Sequence, residues 1–319
     1  MDLSVVIPSY NEEESLEELI SWIRKVMSEH SLSYEIIMVD DGSTDHTWEV
    51  IEKLADGHED LRAIGFRKNY GKSAALHSGF RVAAGEVVVT MDADLQDSPD
   101  EIPELYNMIA SGKFDLVSGW KKKRYDPLSK RIPSKLYNWT VRRTTGIGLH
   151  DFNCGLKAYS KHVVRSIEVY GEMHRYIPYL VKQAGFKKIG EKIVHHQKRK
   201  YGSSKYGYKR FMVGFLDLMT IVFISRFGKK PMHLFGSLGT LMFVVGFVAA
   251  AYLGLQKLYF LRHRIQAILL ADSPYFYLAL ASMIIGTQLF MAGFIGELVS
   301  RSSVERNTYQ INRKIGTEA

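Results

Sequence analysis

Two long stretches without a charged side chain occupy the last third of this 319-residue chain. They cover residues 234–255 and 273–296, and each exceeds the roughly 20 apolar residues that a helix needs to cross a bilayer. Small residues recur in both stretches, and they allow close packing between membrane helices. A buried core helix is the alternative for either stretch alone, but it fits a neighbouring pair poorly. The sequence therefore predicts a two-helix transmembrane region at 232–300.

Charge and the start of the chain predict how these spans are oriented. The chain passes from Asp2 straight into an apolar run, without a signal-peptide pattern, so we expect the N-terminal region to stay in the cytosol. Two spans would return the tail at 301–319 to that side. Basic residues flank the spans as the positive-inside rule requires, although basic residues also lie in the connecting loop. The flanking set is Arg226, Lys229, Lys230, Arg301, Arg306, Arg313 and Lys314, and the loop set is Lys257, Arg262 and Arg264.

The net charge of +8 would favour a nucleic-acid partner in a soluble protein. Beside two membrane spans, the anionic surface of a lipid bilayer is the better partner, because it attracts each basic residue near it. We therefore expect a bilayer and no nucleic acid. The single cysteine, Cys154, excludes an intrachain disulfide and agrees with a reducing cytosolic face.

Apolar runs alternate with helical patterns over the first 120 residues. Runs at 3–7, 34–39, 61–66, 86–90 and 116–118 predict strands, and helical spacing appears at 12–27 and 71–84. A further helix passes through Trp48, with Ser43 or Thr44 as its expected cap. Strands that alternate with helices predict an α/β domain with a mostly parallel, doubly wound sheet. We place this domain at 1–206 and amphipathic interfacial helices at 207–231, for which a domain-core helix is the alternative.

Two carboxylates, Asp92 and Asp94, follow the predicted strand at 86–90. Residues i and i+2 of an extended segment point the same way, and ligands of open α/β sheets bind at the carboxyl ends of strands. Hard cations such as Mg²⁺ or Mn²⁺ prefer oxygen ligands and often share a site with substrate phosphates. The pattern predicts such a site, and a solvated acidic turn is the alternative because turns favour aspartate.

Three motifs follow predicted strands in a fixed order: PSYNE at 8–12, VDDGSTD at 39–45 and DADLQD at 92–97. Together they resemble the family 2 glycosyltransferases, which have the GT-A nucleotide-sugar-binding fold. Further similarity lies in NYGK at 69–72, CGLKAY at 154–159 and RKYGSSK at 199–205. With two C-terminal spans, residues 1–300 resemble the polyprenyl-phosphate glycosyltransferases, which include dolichol-phosphate mannose synthases and undecaprenyl-phosphate glucosyl- and aminoarabinosyl-transferases.

The resemblance implies roles for particular residues. The residues that would line the base and ribose pocket are Pro8, Tyr10, Glu12 and Asp41, with Asp40 beside them. Those that would hold the metal against the diphosphate are Asp92, Asp94 and Gln96. Arg199 would meet the diphosphate, and Lys72 is a second phosphate candidate. Relatives carry arginines and a serine near the lipid phosphate, where this chain has a basic stretch at 121–135. Arg131 and Ser134 are our expectation there.

The implied reaction moves one sugar, with inversion at the anomeric carbon, from a nucleotide sugar to undecaprenyl phosphate. We expect UDP-glucose as the donor, Mg²⁺ or Mn²⁺ as the metal and the cytosolic face of the inner (plasma) membrane as the place. A homo-oligomer such as a tetramer is consistent with the relatives. GDP-mannose is an alternative donor, and a membrane scaffold with a transferase-like domain is a non-catalytic alternative. A processive polysaccharide synthase would need a Gln-x-x-Arg-Trp motif and more spans, and the chain has neither.

Overall fold

The computed structural model describes residues 1–122, 128–197, 200–201, 231–265, 269–302 and 311–315. The chain divides into two units, Met1–Ile221 with Arg306–Ala319, and Val222–Glu305. The predicted interfacial helices at 207–231 lie outside the described residues, apart from Pro231, so they and the predicted domain boundaries stay predictions.

The first unit is built on one eight-stranded sheet in the order β7-β5-β6-β4-β1-β2-β3-β8. Six strands run in the same direction, and β6 and β8 run opposite to them. The predicted mostly parallel sheet is confirmed. The strand bounds are β1 Leu3–Ser9, β2 Tyr34–Asp40, β3 Leu61–Phe66, β4 Val87–Thr90, β5 Leu116–Trp120, β6 Lys157–Ser160, β7 Ile189–Ile193 and β8 Ile311–Ile315.

Helices cover both faces of this sheet. Their bounds are α1 Leu16–Glu29, α2 Thr47–Ala55, α3 Lys72–Val82, α4 Ile102–Ala110, α5 Leu128–Thr145, α6 Lys161–Ser166 and α7 Ile177–Gln183. The buried residues of α1 belong to the same apolar cluster as Val5 and Ile7, whereas Gly79 of α3 lies against Val6, which points to the opposite face. Each fully buried Leu or Ile contributes about 1.5–3 kcal/mol, so the apolar stripe of α1 that the sequence predicts is what holds this helix on the sheet.

The start of α2 differs from the prediction. The helix begins at Thr47, and Asp45 Oδ1 accepts the backbone N–H of Thr47 at 3.0 Å. Ser43 and Thr44 do not cap it. The Ser43 hydroxyl instead donates to Asp40, and the Thr44 N–H donates to Asn11. The predicted cap was wrong because these side chains satisfy polar groups of neighbouring loops, which short-range spacing does not reveal.

The C-terminal tail contributes an unexpected element. Strand β8 pairs antiparallel with β3 at the edge of the sheet, with Ile64 opposite Lys314 and an irregularity between Gly65 and Phe66. A strand that joins an existing edge takes its hydrogen bonds from a partner far away in sequence. The tail alone carries no hairpin or periodic signal that would have predicted this pairing.

The second unit contains helices α8, Pro231–Arg262, and α9, Pro274–Ser302. Both contain a segment long and apolar enough to cross a membrane, Met232–Arg262 and Pro274–Val299. The helices pack at small residues: a Cβ on Gly286 would come 2.6 Å from the backbone N of Phe243. Ser282 Oγ also donates to the Met242 carbonyl at 3.0 Å. The two predicted apolar helices are confirmed as candidate membrane spans.

Candidate active site

Charged side chains lie close together along one edge of the sheet, the edge formed by the carboxyl ends of the parallel strands. Asp40 ends β2, Asp92 follows β4 and Lys121 follows β5. Strand β6 runs the other way, so its first residue, Lys157, reaches the same edge, opposite Thr90 and Ser118. The fold thus brings carboxylates and ammonium groups from four strands to the place where open α/β sheets bind ligands.

Three loops meet at the end of β1 and β2. Asp41 accepts the backbone N–H groups of Tyr70 at 2.7 Å and of Gly71 at 2.9 Å. Asn11, in a left-handed conformation at φ 52°, accepts the N–H of Thr44 through Oδ1 at 2.8 Å. These bonds join the predicted pocket segments 8–12 and 39–45 to 69–72 in one structure.

Gly42 allows this close approach. Its φ is +69°, and a Cβ there would lie 2.8 Å from the backbone N of Asn69. Only glycine adopts this conformation without strain and also leaves room for the neighbouring backbone. A glycine within VDDGSTD is therefore required by the geometry of the loop.

Asp41 has a perturbed pKa. Burial raises the pKa of this carboxyl to about 6, and the negative charge of Asp40 acts in the same direction. The two backbone N–H donors favour the ionised form and limit the rise. A carboxyl with a pKa near 6 titrates within the physiological range, unlike an ordinary surface aspartate.

The remaining predicted pocket residues lie on the same loops. Pro8 is paired with Val39 in the sheet, and the Glu12 N–H donates to Thr47 Oγ1 at 2.9 Å. Tyr10 and Glu12 are half-buried, and Asp40 is buried. The structure thus brings Pro8, Tyr10, Glu12, Asp40 and Asp41 together, and their role in holding a nucleotide stays a prediction.

The DADLQD segment forms a tight turn after β4. Leu95 has a left-handed φ of 59°, and Asp94 Oδ1 accepts the Gln96 N–H at 3.1 Å. Asp92 lies against Gly155, where a Cβ would come 2.5 Å from the Asp92 Cγ. The Asp92 side chain is only 32% exposed. The alternative of a fully solvated acidic turn does not describe Asp92, since protein surrounds most of its carboxylate.

Lysines neutralise this acidic turn. Lys72 forms an ion pair with Asp92, and Lys121 Nζ lies 2.6 Å from Oδ1 of the fully buried Asp97. Lys157 is also buried and donates to the Cys154 carbonyl. The predicted phosphate candidate Lys72 therefore lies inside the site, in contact with a predicted metal ligand.

The pKa values follow from this mixture of burial and charge. Burial opposes ionisation of Asp92, but the charges of Lys72 and Lys121 outweigh it and lower the pKa of Asp92 to about 2. Burial raises the pKa of Asp97, and Lys121 offsets only part of this rise. Burial also lowers the pKa of the Lys157 ammonium.

Several oxygen atoms at this turn could bind a divalent cation. Within the described residues, no three Asp, Glu, His or Cys side chains form a ready-made metal cluster. Mg²⁺, however, commonly takes only one or two carboxylates together with substrate phosphates, and Asp92, Asp94 and Gln96 supply such oxygens. Asp97 Oδ2 is buried and accepts no hydrogen bond from the residues described. These oxygens fit a hard cation shared with a diphosphate.

Three predicted residues are not located in detail. Arg199 lies outside the described residues. Arg131 and Ser134 lie on α5, where the backbone is described and these two side chains are not. Their predicted roles at the diphosphate and the lipid phosphate stay predictions.

Sequence reasoning missed Asp97 and Lys157 as site residues, and it included Lys121 only as part of the basic stretch at 121–135. Lys121 directly follows β5 and Lys157 begins β6, which resembles the pattern that identified Asp92, whereas Asp97 lies seven residues after the end of β4. His174 lies close to Lys72, on the segment that packs against the start of α3. Its backbone N–H donates to Ser73 Oγ at 2.9 Å, and burial, followed by the charge of Lys72, lowers its pKa well below the usual value.

Comparison with known proteins agrees with this geometry. The profile of glycosyl transferase family 2 matches residues 4–167. Dodecaprenyl-phosphate galacturonate synthase from Rhizobium johnstonii is 34% identical, over 95% of this chain and 88% of its own length. Undecaprenyl-phosphate 4-deoxy-4-formamido-L-arabinose transferase from Proteus mirabilis is also 34% identical, over 99% of this chain and 94% of its own length.

The fold is also found among solved structures. Glucosyl-3-phosphoglycerate synthase from Mycobacterium tuberculosis, in complex with Mn²⁺, uridine-diphosphate-glucose and phosphoglyceric acid, superposes with a TM-score of 0.53. The identity is 20%, over 70% of this chain and 79% of that chain. The same enzyme in complex with uridine-diphosphate gives a TM-score of 0.55. At this identity the likeness establishes the fold, and the expected GT-A architecture is confirmed.

Proposed function

The chain belongs to glycosyl transferase family 2, and on that premise we propose that it transfers one sugar from a nucleotide sugar to a polyprenyl phosphate. The observation that carries this proposal is the sheet edge where Asp92 and Asp94 lie beside three lysines. Such an edge can hold a diphosphate and a second anionic substrate together. The relatives named for dodecaprenyl and undecaprenyl phosphate match nearly the whole chain, including both apolar helices, which supports a lipid-phosphate acceptor.

The donor is proposed to bind at the ends of β1 and β2. Asp41 and the loop at 8–12 would surround the base and ribose, because hydrogen bonds to Tyr70, Gly71 and Thr44 hold these segments in place. A pocket held in this way loses little freedom on binding, so less binding free energy is spent on ordering loops. Its carboxylate and amide groups suit the hydroxyl and N–H donors of a nucleoside.

The diphosphate would lie next to the DADLQD turn. Asp92, Asp94 and Gln96 would hold Mg²⁺ or Mn²⁺ there, and the bound metal neutralises charge on the departing diphosphate. Lys72 is close enough to Asp92 to contact the same phosphates, and Arg199 is proposed to meet them as well. Positive groups that are already in place stabilise the leaving group without reorganisation during the reaction.

The acceptor needs little activation. A phosphate monoester has a second pKa of about 6, so a polyprenyl phosphate is largely dianionic near neutral pH. No dedicated general base is then required, and the site must instead keep two anionic substrates in contact. Lys121, Lys157 and the basic stretch containing Arg131 and Ser134 are proposed to do this. Alignment of the reactants then supplies much of the rate, with inversion at the anomeric carbon.

We propose the donor from a short panel of nucleotide sugars. UDP-glucose remains our prediction for the donor, with GDP-mannose as the alternative. The names of the relatives add a galacturonate donor and a 4-deoxy-4-formamido-L-arabinose donor to the panel.

We also propose the cytosolic face of the inner membrane as the location, and a homo-oligomer, tetrameric in the simplest case, as the assembly.

Transfer into lipid tests this function. Full-length protein in detergent would be given undecaprenyl phosphate, Mg²⁺ or Mn²⁺ and each labelled nucleotide sugar in turn. We expect label in the lipid fraction from one donor, and its loss with EDTA. Asp94→Asn should lower the rate at least about 100-fold, the scale for removing a group that stabilises the transition state.

Asp56→Asn is the matched control, since Asp56 is an exposed carboxylate at the end of α2, away from the site. It should retain the wild-type rate. If folded protein makes no lipid-linked product from any donor, the proposal is wrong. Normal cellular function of an Asp92→Ala variant would instead support the scaffold alternative.

A further inference from the structure

Helix α5 contacts segments that adjoin the site. Its Asn138 Oδ1 accepts the Phe152 N–H at 3.2 Å, and the neighbouring Asp151 carbonyl accepts the Ser118 hydroxyl at 3.2 Å. Ser118 lies on β5, opposite Lys157. Tyr137 of α5 also stacks on Tyr176, with ring centroids 6.2 Å apart. These contacts hold the inner face of α5 against the segments that surround the site.

The opposite face of α5 is exposed and carries a regular pattern. Lys135, Trp139 and Arg143 follow one another at intervals of four residues, and all three are exposed. Residues four apart lie on one face of a helix. Val141 and Thr145, by contrast, lie on the buried side. The described part of α5 is therefore amphipathic in an unusual way, because its outer face combines an indole ring with positive charge.

Trp139 is the notable member of this stripe. Its side chain is 62% exposed, and the other large exposed apolar residues described in the first unit are Met1 and Ile193. A single exposed apolar residue needs no explanation. An indole between two basic residues on one helix face is different, because tryptophan prefers the level of lipid headgroups and basic residues are attracted to anionic lipids. A helix with this pattern is typical of an interface with a membrane.

We propose that the face of Lys135, Trp139 and Arg143 docks on the surface of an anionic bilayer. The proposal deepens the proposed function and rests on it, since a polyprenyl phosphate reaches the enzyme from the membrane. With α5 seated on the lipid, the site segments that its inner face contacts are held close to the headgroups from which the acceptor phosphate comes. The helix would then set the height of the site above the bilayer, independently of the two spans.

Tryptophan fluorescence tests this docking directly. The chain has four tryptophans, Trp22, Trp48, Trp120 and Trp139, and none lies in the apolar helices. Full-length protein in nanodiscs would be compared with and without lipids brominated near the headgroup, which quench nearby indoles. We expect brominated phosphatidylglycerol to quench the wild type, and Trp139→Phe to remove at least half of that quenching.

Trp22→Phe is the matched control. Trp22 lies on α1 and donates to Asp100 Oδ1 at 2.9 Å, so its replacement should leave the lipid quenching unchanged. Lys135→Glu combined with Arg143→Glu should reduce the quenching, and so should nanodiscs of phosphatidylcholine alone. Equal quenching in the two lipids, or no change in Trp139→Phe, would overturn the proposal.

Aqueous iodide, a second quencher, tests whether protein covers the face of Lys135, Trp139 and Arg143 in place of lipid. If Trp139 is protected from brominated lipid and also from aqueous iodide, protein covers this face and the proposal is wrong. The measurement needs neither donor nor acceptor. Quenching without sugar transfer would therefore overturn the proposed reaction and leave the docking intact. Sugar transfer without quenching would overturn the docking and leave the proposed reaction intact.

Discussion

At the scale of single residues, Gly155 shows how closely the site is built around Asp92. An alanine there would place its Cβ 2.5 Å from the Asp92 Cγ, which the carboxylate can avoid only by moving. Misplacing a reacting group by about 1 Å can cost a factor of about 100 in rate. We expect Gly155→Ala to lower kcat/KM for sugar transfer by roughly this factor, as measured by the lipid-labelling assay.

Gly148→Ala provides the comparison. Gly148 belongs to the same unit, and a Cβ there would meet nothing within 4 Å. This variant should transfer sugar at the wild-type rate. If both glycine variants lose activity equally, or if Gly155→Ala also unfolds the protein, the contact with Asp92 is not the cause.

Asp41 makes a prediction about pH. Burial raises the pKa of Asp41 in the folded protein from its ordinary 3.8 to about 6, so the folded state favours the protonated form. The stability from this preference is fully present below about pH 4 and is lost as pH rises through 6. Asp41→Asn has no carboxyl group to titrate at this position, so it does not lose stability in this way as the pH rises. Its stability relative to wild type should therefore improve by about 1 kcal/mol between pH 5 and pH 8.

Thermal melting of both proteins across this pH range measures the difference. Asp56→Asn, at an exposed position, should show a constant difference from wild type. A constant difference for Asp41→Asn as well would mean that burial does not raise the pKa of Asp41.

At the scale of elements, the pair of apolar helices depends on glycine where the two backbones approach. A side chain on Gly286 would collide with the backbone of Phe243, whereas one on Gly254 would meet nothing within 4 Å. We expect Gly286→Leu to destabilise the helix pair by about 1–3 kcal/mol, the usual cost of overpacking. Gly254→Leu should have little effect. The helix content of both variants would be measured during titration with a denaturing detergent. We expect the unfolding midpoint to shift in Gly286→Leu and to stay unchanged in Gly254→Leu.

Elements also differ in how far local sequence predicts them. The apolar spacing of α1 predicted its buried face, because that helix needs only a flat apolar surface to pack on. The pairing of β8 with β3 had no such signal, since its partner lies more than 240 residues earlier in the chain. The cap of α2 failed for the related reason that Ser43 and Thr44 bond to other loops.

At the scale of the whole molecule, the two spans and the charge pattern predict a definite topology. A cysteine in place of His263, which is exposed between the apolar helices, should react with a membrane-impermeant maleimide in intact spheroplasts. A cysteine in place of Lys53, exposed on α2, should react only after permeabilisation. The native Cys154 should stay silent, because it is buried and burial raises the pKa of its thiol to about 12. The reverse labelling pattern would contradict the predicted orientation.

Local sequence patterns were sufficient to predict the class of fold, the two apolar helices and the pair of carboxylates, Asp92 and Asp94, after a strand. Three local patterns indicate these features. They are the periodicity of apolar residues, the absence of charge over a length that spans a bilayer, and polar motifs directly after strands. Local patterns are readable because each residue's neighbours along the chain largely decide its environment.

Which charges face one another depends on the three-dimensional packing of the chain. Lys72 pairs with Asp92 and Lys121 with Asp97 because separate strands end at a common edge, and Lys157 joins them because β6 runs in the opposite direction. The same packing buries Asp41 and shifts its pKa, turns the Trp139 face of α5 outward and adds β8 to the sheet. Burial and Coulomb interactions depend on distances in space, and sequence spacing does not specify these distances.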